Sequence, residues 1–491
     1  MKIILGNVQS QLQVGGTDFL IDPDLMTRFR EYLSIKVPGS FFAAKKLKFR
    51  WDGMKYFVTP GGKMATGFIP NLLKFIEEVY PDLDVEIIDD RGELPQFKEE
   101  FVAKVGPITI NEGYIHQKEM IMSLRNDISF RNQLIPFYRG IVDGATNSGK
   151  SVVIAGLFLN IEGNQKMLVV IHRKAIYREL LQFFTEVFGE VGQINDQNYF
   201  IGKQVTLAMI QTLHSRLDDP NTKKDLAQFT ILACDEVHAG GSKMYSSTLV
   251  HCNASIRVGT SGTSFDSNDI ISKMVVVGLF GPKLKTVSKR EMMDKGISAP
   301  VTVYMHLVNT ILRQPIITYD DHIKYLIHES VERVSIMAKI IKEKSPVLIS
   351  VAKTQHGLFI QEQLRQLGVR VELTHSQDKD IIPRVDAFRN GEIDCLISTG
   401  TLREGVNMPR VRVTIFAEGM KGKISIKQWM GRGERLHESK DSMEFHDFMD
   451  IGKFCQSHSL KRLKVYQDEN LPVVLDFDKK DLKNMRSVVV Q

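Results

Sequence analysis

Cysteine is scarce in this chain and never occurs in a closely spaced pair. The 491 residues include four cysteines, and no two of them form a C-x-x-C motif. This pattern gives no indication of a disulfide framework, structural zinc or an iron–sulfur cluster, so we expect reduced, buried thiols. The four are Cys234, Cys252, Cys395 and Cys455.

A long apolar run is also missing. No stretch approaches the roughly 20 residues that span a membrane, and the first residues lack the layout of a secretory signal. We therefore expect a cytoplasmic protein with no membrane partner.

The composition is otherwise that of a folded soluble protein, with 43% hydrophobic and 25% charged residues. At about 150 residues per domain, the length suggests roughly three domains. The formal net charge of +6 is compatible with nucleic-acid binding without establishing it.

One eight-residue stretch fits the phosphate-loop pattern G-x-x-x-x-G-K-[ST] without a mismatch. It reads Gly144-Ala145-Thr146-Asn147-Ser148-Gly149-Lys150-Ser151. Apolar residues lie on both sides of it, which is the strand-to-helix context that the motif needs. Lys150 is predicted to reach the β- and γ-phosphates, and Ser151 to coordinate Mg²⁺. A chance glycine turn is the structural alternative, and the flanking pattern disfavours it.

Short apolar runs alternate with helical stretches after this loop, which predicts a parallel sheet. One run, at residues 231–234, ends on Asp235-Glu236-Val237-His238. Catalytic residues collect at the carboxyl ends of such strands. We expect Asp235 to hold Mg²⁺ and Glu236 to polarise an attacking water. An acidic pair about 85 residues after a phosphate loop indicates hydrolysis rather than binding alone.

A second series of apolar strands begins near Pro300, without a second phosphate loop. Two sheets of similar size, only one of which carries the loop, predict that nucleotide binds between them. We therefore expect an α/β fold with two doubly wound parallel-sheet domains in tandem, at residues 106–298 and 299–491. A small α+β domain is expected to precede them at residues 1–105.

The N-terminal module has alternating stretches on either side of Asp52-Gly53, a dipeptide that strongly favours a hairpin. The predicted hairpin carries Trp51 on its apolar face and basic residues, including Lys48 and Arg50, on or beside the other face. A phosphate backbone could lie along those basic residues. An ordinary solvated face explains them equally well.

The order of these motifs resembles that of superfamily 2 helicases and translocases. The matching segments are Gln117 for the adenine-reading glutamine, Gly144–Ser151 for motif I, His172–Lys174 for motif Ia, Gln211–Thr212 for motif Ib, Asp235–His238 for the DExH box, Ser261–Thr263 for motif III, Val347–Val351 for motif IV, Ser398–Asn407 for motif V and Gln428–Arg435 for motif VI. Total length, the Phe49–Gly53 stretch and the short tail after motif VI are similar to the UvsW-like branch-migration helicases of tailed phages, in particular those of T5-like phages.

Two segments depart from the pattern of these relatives. After the motif Ia strand the chain has His172-Arg173 where relatives often have Pro-Thr, and motif VI has Gly433-Glu434 where they are often apolar. The first departure leaves the contacts of motif Ia with DNA undefined. Neither removes a residue that hydrolysis needs.

The resemblance implies that the two tandem α/β domains are RecA-like. It also implies ATP and Mg²⁺ as cofactors and assigns a role to each matching residue. The implied catalytic residues are Lys150, Asp235, Glu236, Arg432 and Arg435, and Ser151 and Asp235 hold the metal. Nucleotide is bound by Gln117, Gly144 to Ser151, Gly405 and Asn407. Hydrolysis is coupled to movement by His238, Ser261, Thr263 and Gln428. DNA is contacted by Lys48, Arg50, Trp51, Arg173, Lys174, Gln211, Thr212, Ser398 and Thr399.

Taken together, these roles describe an ATP-driven motor on branched, duplex and single-stranded DNA. It is expected to act as a monomer in recombination, repair and replication, in the cytoplasm of an infected host cell if a phage encodes it. Three alternatives stay open at this point: an RNA-dependent ATPase of the DExH type, the motor subunit of a restriction system, and a nucleotide-gated clamp that does not translocate. The intact Glu236 argues against the clamp, which needs no water-polarising carboxylate.

Overall fold

A computed structural model describes residues 1–14, 24–40, 51–145, 147–262, 269–310, 317–375, 381–400, 411–431, 433 and 441–478. The chain divides into two compact units, Met1–Val287 and Ser288–Gln491. The first unit takes in both the N-terminal module and the first large sheet, so the predicted boundary at residue 105 stays a prediction. In the described part of the chain, no helix is both long and apolar enough to cross a membrane.

The N-terminal module is built on a mixed four-stranded sheet. In spatial order its strands are Lys63–Ala65, Gln9–Gln13, Lys2–Leu5 and Glu86–Asp89, of which the last pair is parallel. Two helices, Leu25–Tyr32 and Ile69–Val79, pack with this sheet in one apolar cluster. In the second helix Pro70 occupies the first turn, where it costs no hydrogen bond, and Leu72, Leu73 and Ile76 form the buried face.

The Asp52-Gly53 turn is present, but the described partner of the following strand was not predicted. Met54–Tyr56 pairs antiparallel with Ser34–Lys36. Gly53 has φ of +79°, and Asp52 accepts hydrogen bonds from the Met54 amide at 2.9 Å and the Tyr56 hydroxyl at 2.7 Å. Residues 41–50 lie outside the described residues, so the predicted hairpin with residues 47–51 stays a prediction.

The first unit contains an eight-stranded sheet. Among its described strands, Tyr199–Phe200 at one edge is antiparallel to its neighbour, and the other neighbouring pairs are parallel. In spatial order its strands are Tyr199–Phe200, Val191–Ile194, Val205–Met209, Met167–Ile171, Ile231–Asp235, Ile256–Ser261, Arg139–Gly144 and Lys283–Val287. The central strands are buried along their whole length, as expected when helices cover both faces of a parallel sheet. The associated helices are Ile115–Met122, Lys150–Leu159, Lys174–Phe188, Ile210–Ser215, Pro220–Ala227, Lys243–Leu249 and Ile270–Phe280, with single turns at Thr66–Phe68, Glu112–Tyr114 and Val237–Gly241. Two short hairpins, Lys104–Val105 with Ile108–Thr109 and Asp127–Phe130 with Gln133–Pro136, precede the sheet.

The second unit contains a seven-stranded sheet, and all of its strand pairs are parallel. In spatial order its strands are Val371–Thr374, Cys395–Ser398, Val347–Ser350, Val413–Phe416, Met443–Asp450, Val301–Val308 and Val473–Leu475. Its helices are Lys289–Asp294, Tyr319–Ile323, Lys324–His328, Val331–Lys344, Thr354–Gln366, Ile381–Arg389, Lys423–Met430 and Lys453–Asp468. The predicted fold class of two tandem α/β domains after a small N-terminal domain is confirmed. All four cysteines are free and buried, as predicted.

A buried ionic network joins the helices of the second unit to the strand Met443–Asp450. Arg462 donates to Asp447 at 2.8 Å, Tyr466 donates to the same carboxylate at 2.5 Å, and Arg333 pairs with Asp450. Both carboxylates have two or more partners, as buried charges require. Sequence patterns did not predict this network.

Candidate nucleotide site and nucleic-acid interface

The phosphate loop connects a buried strand to a buried helix, as its sequence predicts. The strand Arg139–Gly144 leads into it and the helix Lys150–Leu159 leaves it. Asn147 and Gly149 have φ of +70° and +80°, so the backbone curls back on itself between the two elements. Lys150 Nζ lies 3.2 Å from the carbonyl oxygen of Gly144 and so reaches back across the loop. A helix start with a curled loop and a lysine is suited to anionic phosphate oxygens. Thr146 lies outside the described residues.

Gln117 is placed against the phosphate loop by the helix Ile115–Met122. Its Nε2 donates to the carbonyl oxygen of Ser148 at 3.3 Å, and the neighbouring His116 contacts the same oxygen through Nε2 at 3.0 Å. The Gln117 Oε1 is buried and has no hydrogen-bond partner in the described part of the chain. A buried, unused acceptor beside the loop fits the exocyclic amino group of adenine. His116 was missed, because one histidine before a glutamine carries no distinctive signal.

The acidic pair ends the strand Ile231–Asp235, and the next strand in the sheet holds both carboxylates. Thr260 Oγ1 donates to Asp235 Oδ1 at 2.9 Å, and Ser261 Oγ donates to Glu236 Oε2 at 3.2 Å. His238 Nδ1 lies 3.2 Å from both Glu236 Oε2 and Ser261 Oγ. The structure thus brings together the DExH box and Ser261, whereas Thr263 lies outside the described residues. Thr260 was not predicted, and only the strand register identifies it.

Glu236 also has an unusual backbone, with φ of +52°. A non-glycine residue in the left-handed region costs on the order of 1–3 kcal/mol and persists where surrounding contacts impose it. Here the bonds from Ser261 and His238 hold the side chain, and the buried strand holds the preceding residue. The conformation turns the Glu236 carboxylate away from the direction that a continued strand would give it.

The two carboxylates of the pair have different proton affinities. Burial, and then the neighbouring Glu236 charge, raise the pKa of Asp235 above its usual range, although Lys150 opposes the rise. For Glu236 burial acts in the same direction, but the hydrogen bond from His238 and the positive charge of Lys150 outweigh it and lower the pKa. Glu236 is therefore ionised at neutral pH.

The donor set at the end of the strand fits Mg²⁺ held together with phosphate oxygens. The described residues contain no group of three or more His, Cys, Asp or Glu side chains that could hold a metal by themselves. Mg²⁺ is usually held by one or two carboxylates together with substrate phosphates and water. Asp235 and Ser151 supply the oxygen donors that such a site needs.

The residues of motifs Ia and Ib follow two neighbouring strands at the same edge of the sheet. The strand Met167–Ile171 ends before His172, and the strand Val205–Met209 ends before Gln211 and Thr212. Gln211 Nε2 donates to the carbonyl oxygen of His172 at 2.9 Å. The two segments are therefore tied to each other directly.

The two cations of motif Ia have different partners. Lys174 Nζ is 2.6 Å from Asp196 Oδ2, and both side chains are exposed. Arg173 Nε donates to His172 Nε2 at 3.1 Å. Burial, and then the charge of Arg173, lower the pKa of His172 to about 4. Its ring lies edge to face against that of His238, with centroids 6.3 Å apart.

The remaining predicted residues are placed as follows. Trp51 donates from Nε1 to the carbonyl oxygen of Met54 at 3.1 Å, and its ring is half-buried. Ser398 is fully buried at the end of its strand, and the amide of Thr399 donates to the carbonyl oxygen of Thr374. Gln428 lies on the helix Lys423–Met430. The predicted residues Lys48, Arg50, Gly405, Asn407, Arg432 and Arg435 lie outside the described residues.

Two family models match the chain in the places where these motifs lie. Residues 112–266 match the family described as type III restriction enzyme, res subunit, and residues 329–437 match the helicase conserved C-terminal domain. The first match contains the phosphate loop, motif Ia and the acidic pair. The second contains the strands at residues 347–350 and 395–398 and the helix that carries Gln428.

Individual relatives are distant in sequence. The ATP-dependent DNA helicase uvsW of Enterobacteria phage T4 is 22% identical over 91% of this chain and 94% of its own length. Helicase 22 of the Sulfolobus islandicus filamentous virus is 21% identical over 67% of this chain, which spans 64% of that relative's length. A fragment of an HsdR subunit of a type I restriction enzyme from Vibrio vulnificus has 17% identity and a TM-score of 0.52, over 69% of this chain and 64% of the fragment. The structural likeness supports the fold alone.

Proposed function

We propose that this chain, which belongs to superfamily 2 of the helicases, is an ATP-driven motor that moves along DNA and remodels branched DNA. The observation that carries the proposal is the joint position of phosphate loop and acidic pair. Their strands lie on either side of Ile256–Ser261, whose Thr260 and Ser261 bind the two carboxylates. Such an arrangement is suited to hydrolysing a nucleoside triphosphate and to sensing its hydrolysis through one strand.

For hydrolysis, each side chain has one task. Lys150 binds the terminal phosphates, and Ser151 and Asp235 hold Mg²⁺, which when bound neutralises phosphate charge. Glu236, ionised and fixed by Ser261, orients the attacking water and accepts its proton. Gln117 reads the adenine edge with its unused Oε1. Arg432 and Arg435, which lie outside the described residues, are proposed to supply positive charge to the transition state.

For movement, the proposed contacts go to the phosphate backbone, so that stepping does not depend on sequence. Arg173, Lys174 and Thr212 lie together at the carboxyl edge of the first sheet, where the nucleotide residues also lie. Ser398 is buried, so its contribution would be to fix the backbone of motif V rather than to touch a phosphate itself. Alternating grip by the two units, timed by ATP, would advance the protein along one strand.

The preference for branched DNA is the finer part of the proposal. It draws on the DNA helicase of phage T4, which this chain matches along nearly its whole length, and on the N-terminal module with its Trp51 turn. We propose that the module holds the duplex beside a junction. The motor then drives branch migration and fork regression during recombination, repair and replication.

The test measures ATP turnover with four-way junction DNA, duplex DNA, single-stranded DNA and RNA, together with migration of a labelled junction. Glu236→Gln keeps the shape of the side chain but removes its basicity, so turnover should fall by about 100-fold or more. Glu162→Gln is the matched control, because Glu162 is exposed and precedes the strand Met167–Ile171, at the opposite edge of the same sheet.

Strong stimulation by branched DNA, with junction migration that Glu236→Gln abolishes and Glu162→Gln retains, is the expected result. Stimulation by RNA alone would replace DNA with RNA as the substrate. DNA binding without ATP turnover in the wild type would refute the motor.

A further inference from the structure

His172 contacts two functional groups. On one side its Nε2 accepts a hydrogen bond from Arg173, the cation proposed to touch a nucleic-acid phosphate. On the other side its ring lies edge to face against His238 at 79°. One side chain therefore lies between the nucleic-acid edge and the acidic box.

The main chain of His172 is fixed, whereas its ring has few restraints. The residue follows a strand that is buried throughout, and Gln211 binds its carbonyl oxygen. Within the described residues, the bond from Arg173 is the hydrogen bond made to the ring, and Nδ1 is buried without a partner. A neutral imidazole has one donor and one acceptor. With Nε2 accepting, the unmade bond is the Nδ1–H, and a buried, unmade donor favours any rearrangement that satisfies it.

His238 is in turn a direct restraint on the water-polarising carboxylate. Its Nδ1 is 3.2 Å from Glu236 Oε2 and 3.2 Å from Ser261 Oγ. A change in the position of the His238 ring therefore changes the hydrogen bonding of Glu236. Contacts run without a break from Arg173 through His172 and His238 to Glu236.

We infer that His172 is a positioning residue that keeps His238 against Glu236 until a nucleic-acid phosphate takes Arg173. This inference rests on the proposed function and adds the route by which nucleic acid stimulates hydrolysis. Once the phosphate accepts the Arg173 N–H, the Nε2 of His172 loses its donor and the ring turns. His238 then releases Glu236, which becomes available to orient water.

Lys174 provides the contrast within the same turn. Its partner is the exposed Asp196, and among the described residues no hydrogen bond or ion pair joins Asp196 to the acidic box. Asp196 competes with phosphate for Lys174, so it affects how tightly nucleic acid binds and not how strongly bound nucleic acid stimulates hydrolysis. The two cations of motif Ia therefore have separable effects.

Three variants of the full chain separate these effects. For each variant, ATP turnover is measured without DNA and with saturating single-stranded DNA. The dissociation constant for DNA is measured as well. In His172→Ala the ring is gone, so the basal rate should rise several-fold towards the stimulated rate. In His172→Phe a ring stays against His238 but cannot accept from Arg173, so the ratio of stimulated to basal rate should fall towards one. Asp196→Asn is the control, with DNA bound about twofold to fivefold more tightly and an unchanged ratio.

The inference is supported if the ratio approaches one in both variants at nearly constant DNA affinity, with a raised basal rate in His172→Ala and a low basal rate in His172→Phe. Equal loss of both rates in the two variants, or a normal ratio in both, would overturn it while leaving the proposed function intact. Should His172→Ala fail to fold, the ratio in His172→Phe decides by itself. If DNA does not stimulate the wild type at all, the proposed function and this inference fall together.

Discussion

Replacing Gly149 by alanine should damage the nucleotide site for two separable reasons. Gly149 has φ of +80°, in the left-handed region that residues with a Cβ rarely adopt. A Cβ at this position would lie 2.1 Å from Gln117 Nε2 and 3.1 Å from Gln117 Cδ. Gln117 therefore has to leave its place beside the loop.

The backbone part of the cost is about 1–2 kcal/mol. The second part arises because displaced Gln117 loses its bond to the Ser148 carbonyl oxygen in a buried position, which costs about 1–3 kcal/mol. The free energy of unfolding of the first unit should therefore fall by about 2–5 kcal/mol. Adenine nucleotides should bind more than about tenfold more weakly, because a loss of 1.4 kcal/mol is already tenfold.

Gly92→Ala is the matched control. Gly92 lies in the same unit with φ of +75°, and a Cβ added there would meet no heavy atom within 4 Å. Its free energy of unfolding should fall by the backbone cost alone, about 1–2 kcal/mol, and its nucleotide affinity should not change. Urea unfolding and calorimetric titration with ATP measure both quantities. Equal losses of stability in the two variants would refute the role assigned to Gln117. So would a Gly149→Ala, Gln117→Ala double variant that is no more stable than Gly149→Ala.

Three further predictions concern stability, each measured by urea unfolding. Asp447→Leu should cost about 3–5 kcal/mol because it removes the carboxylate 2.8 Å from the buried Arg462 and leaves it only the more distant Asp450 at 3.6 Å, and adding Arg462→Met should restore most of the loss; no recovery would contradict this. Burial chiefly lowers the pKa of His328 from 6.5 to about 4 and that of His356 well below its usual range, so the unfolded state binds more protons below pH 6.5. Stability should therefore be complete above pH 6.5 and fall towards pH 4, less steeply in His356→Gln. Asn160→Ala should cost about 2–4 kcal/mol, since the buried side chain makes three hydrogen bonds, and a loss below 1 kcal/mol would show that water replaces them.

The fold was predictable because its signals are local and regular. Uninterrupted apolar strands such as Val205–Met209, separated by helices, allow little besides a covered parallel sheet. The phosphate loop was predictable for a similar reason, because its glycines and lysine act through the backbone that carries them. Asp235 was identified as a candidate site residue because it lies at the end of an apolar strand.

The residues that the sequence did not reveal depend on contacts between distant segments. Thr260 is one threonine among many until the register sets it beside Asp235. In the sequence, His172 is a departure from a family pattern. The role proposed for it depends on its contact with the ring of His238, 66 positions further along the chain. The strand Ser34–Lys36 is too short and too polar to be predicted, and it forms because Met54–Tyr56 offers it a pairing edge. The periodicity of apolar residues in a sequence does not reveal contacts between such distant segments.

The strand Ile256–Ser261 has a consequence for how this site can change. It separates the phosphate-loop strand from the strand of the acidic pair, and two steps of about 4.8 Å set the interval between them at about 10 Å. Main-chain hydrogen bonds on both sides of the strand maintain this interval. Substitutions along the strand can therefore alter what fills the gap, but the width of the gap does not depend on any side chain. The strand acts as a spacer of constant thickness, so substitutions on either side of it can change the chemistry of the site without moving its two halves apart.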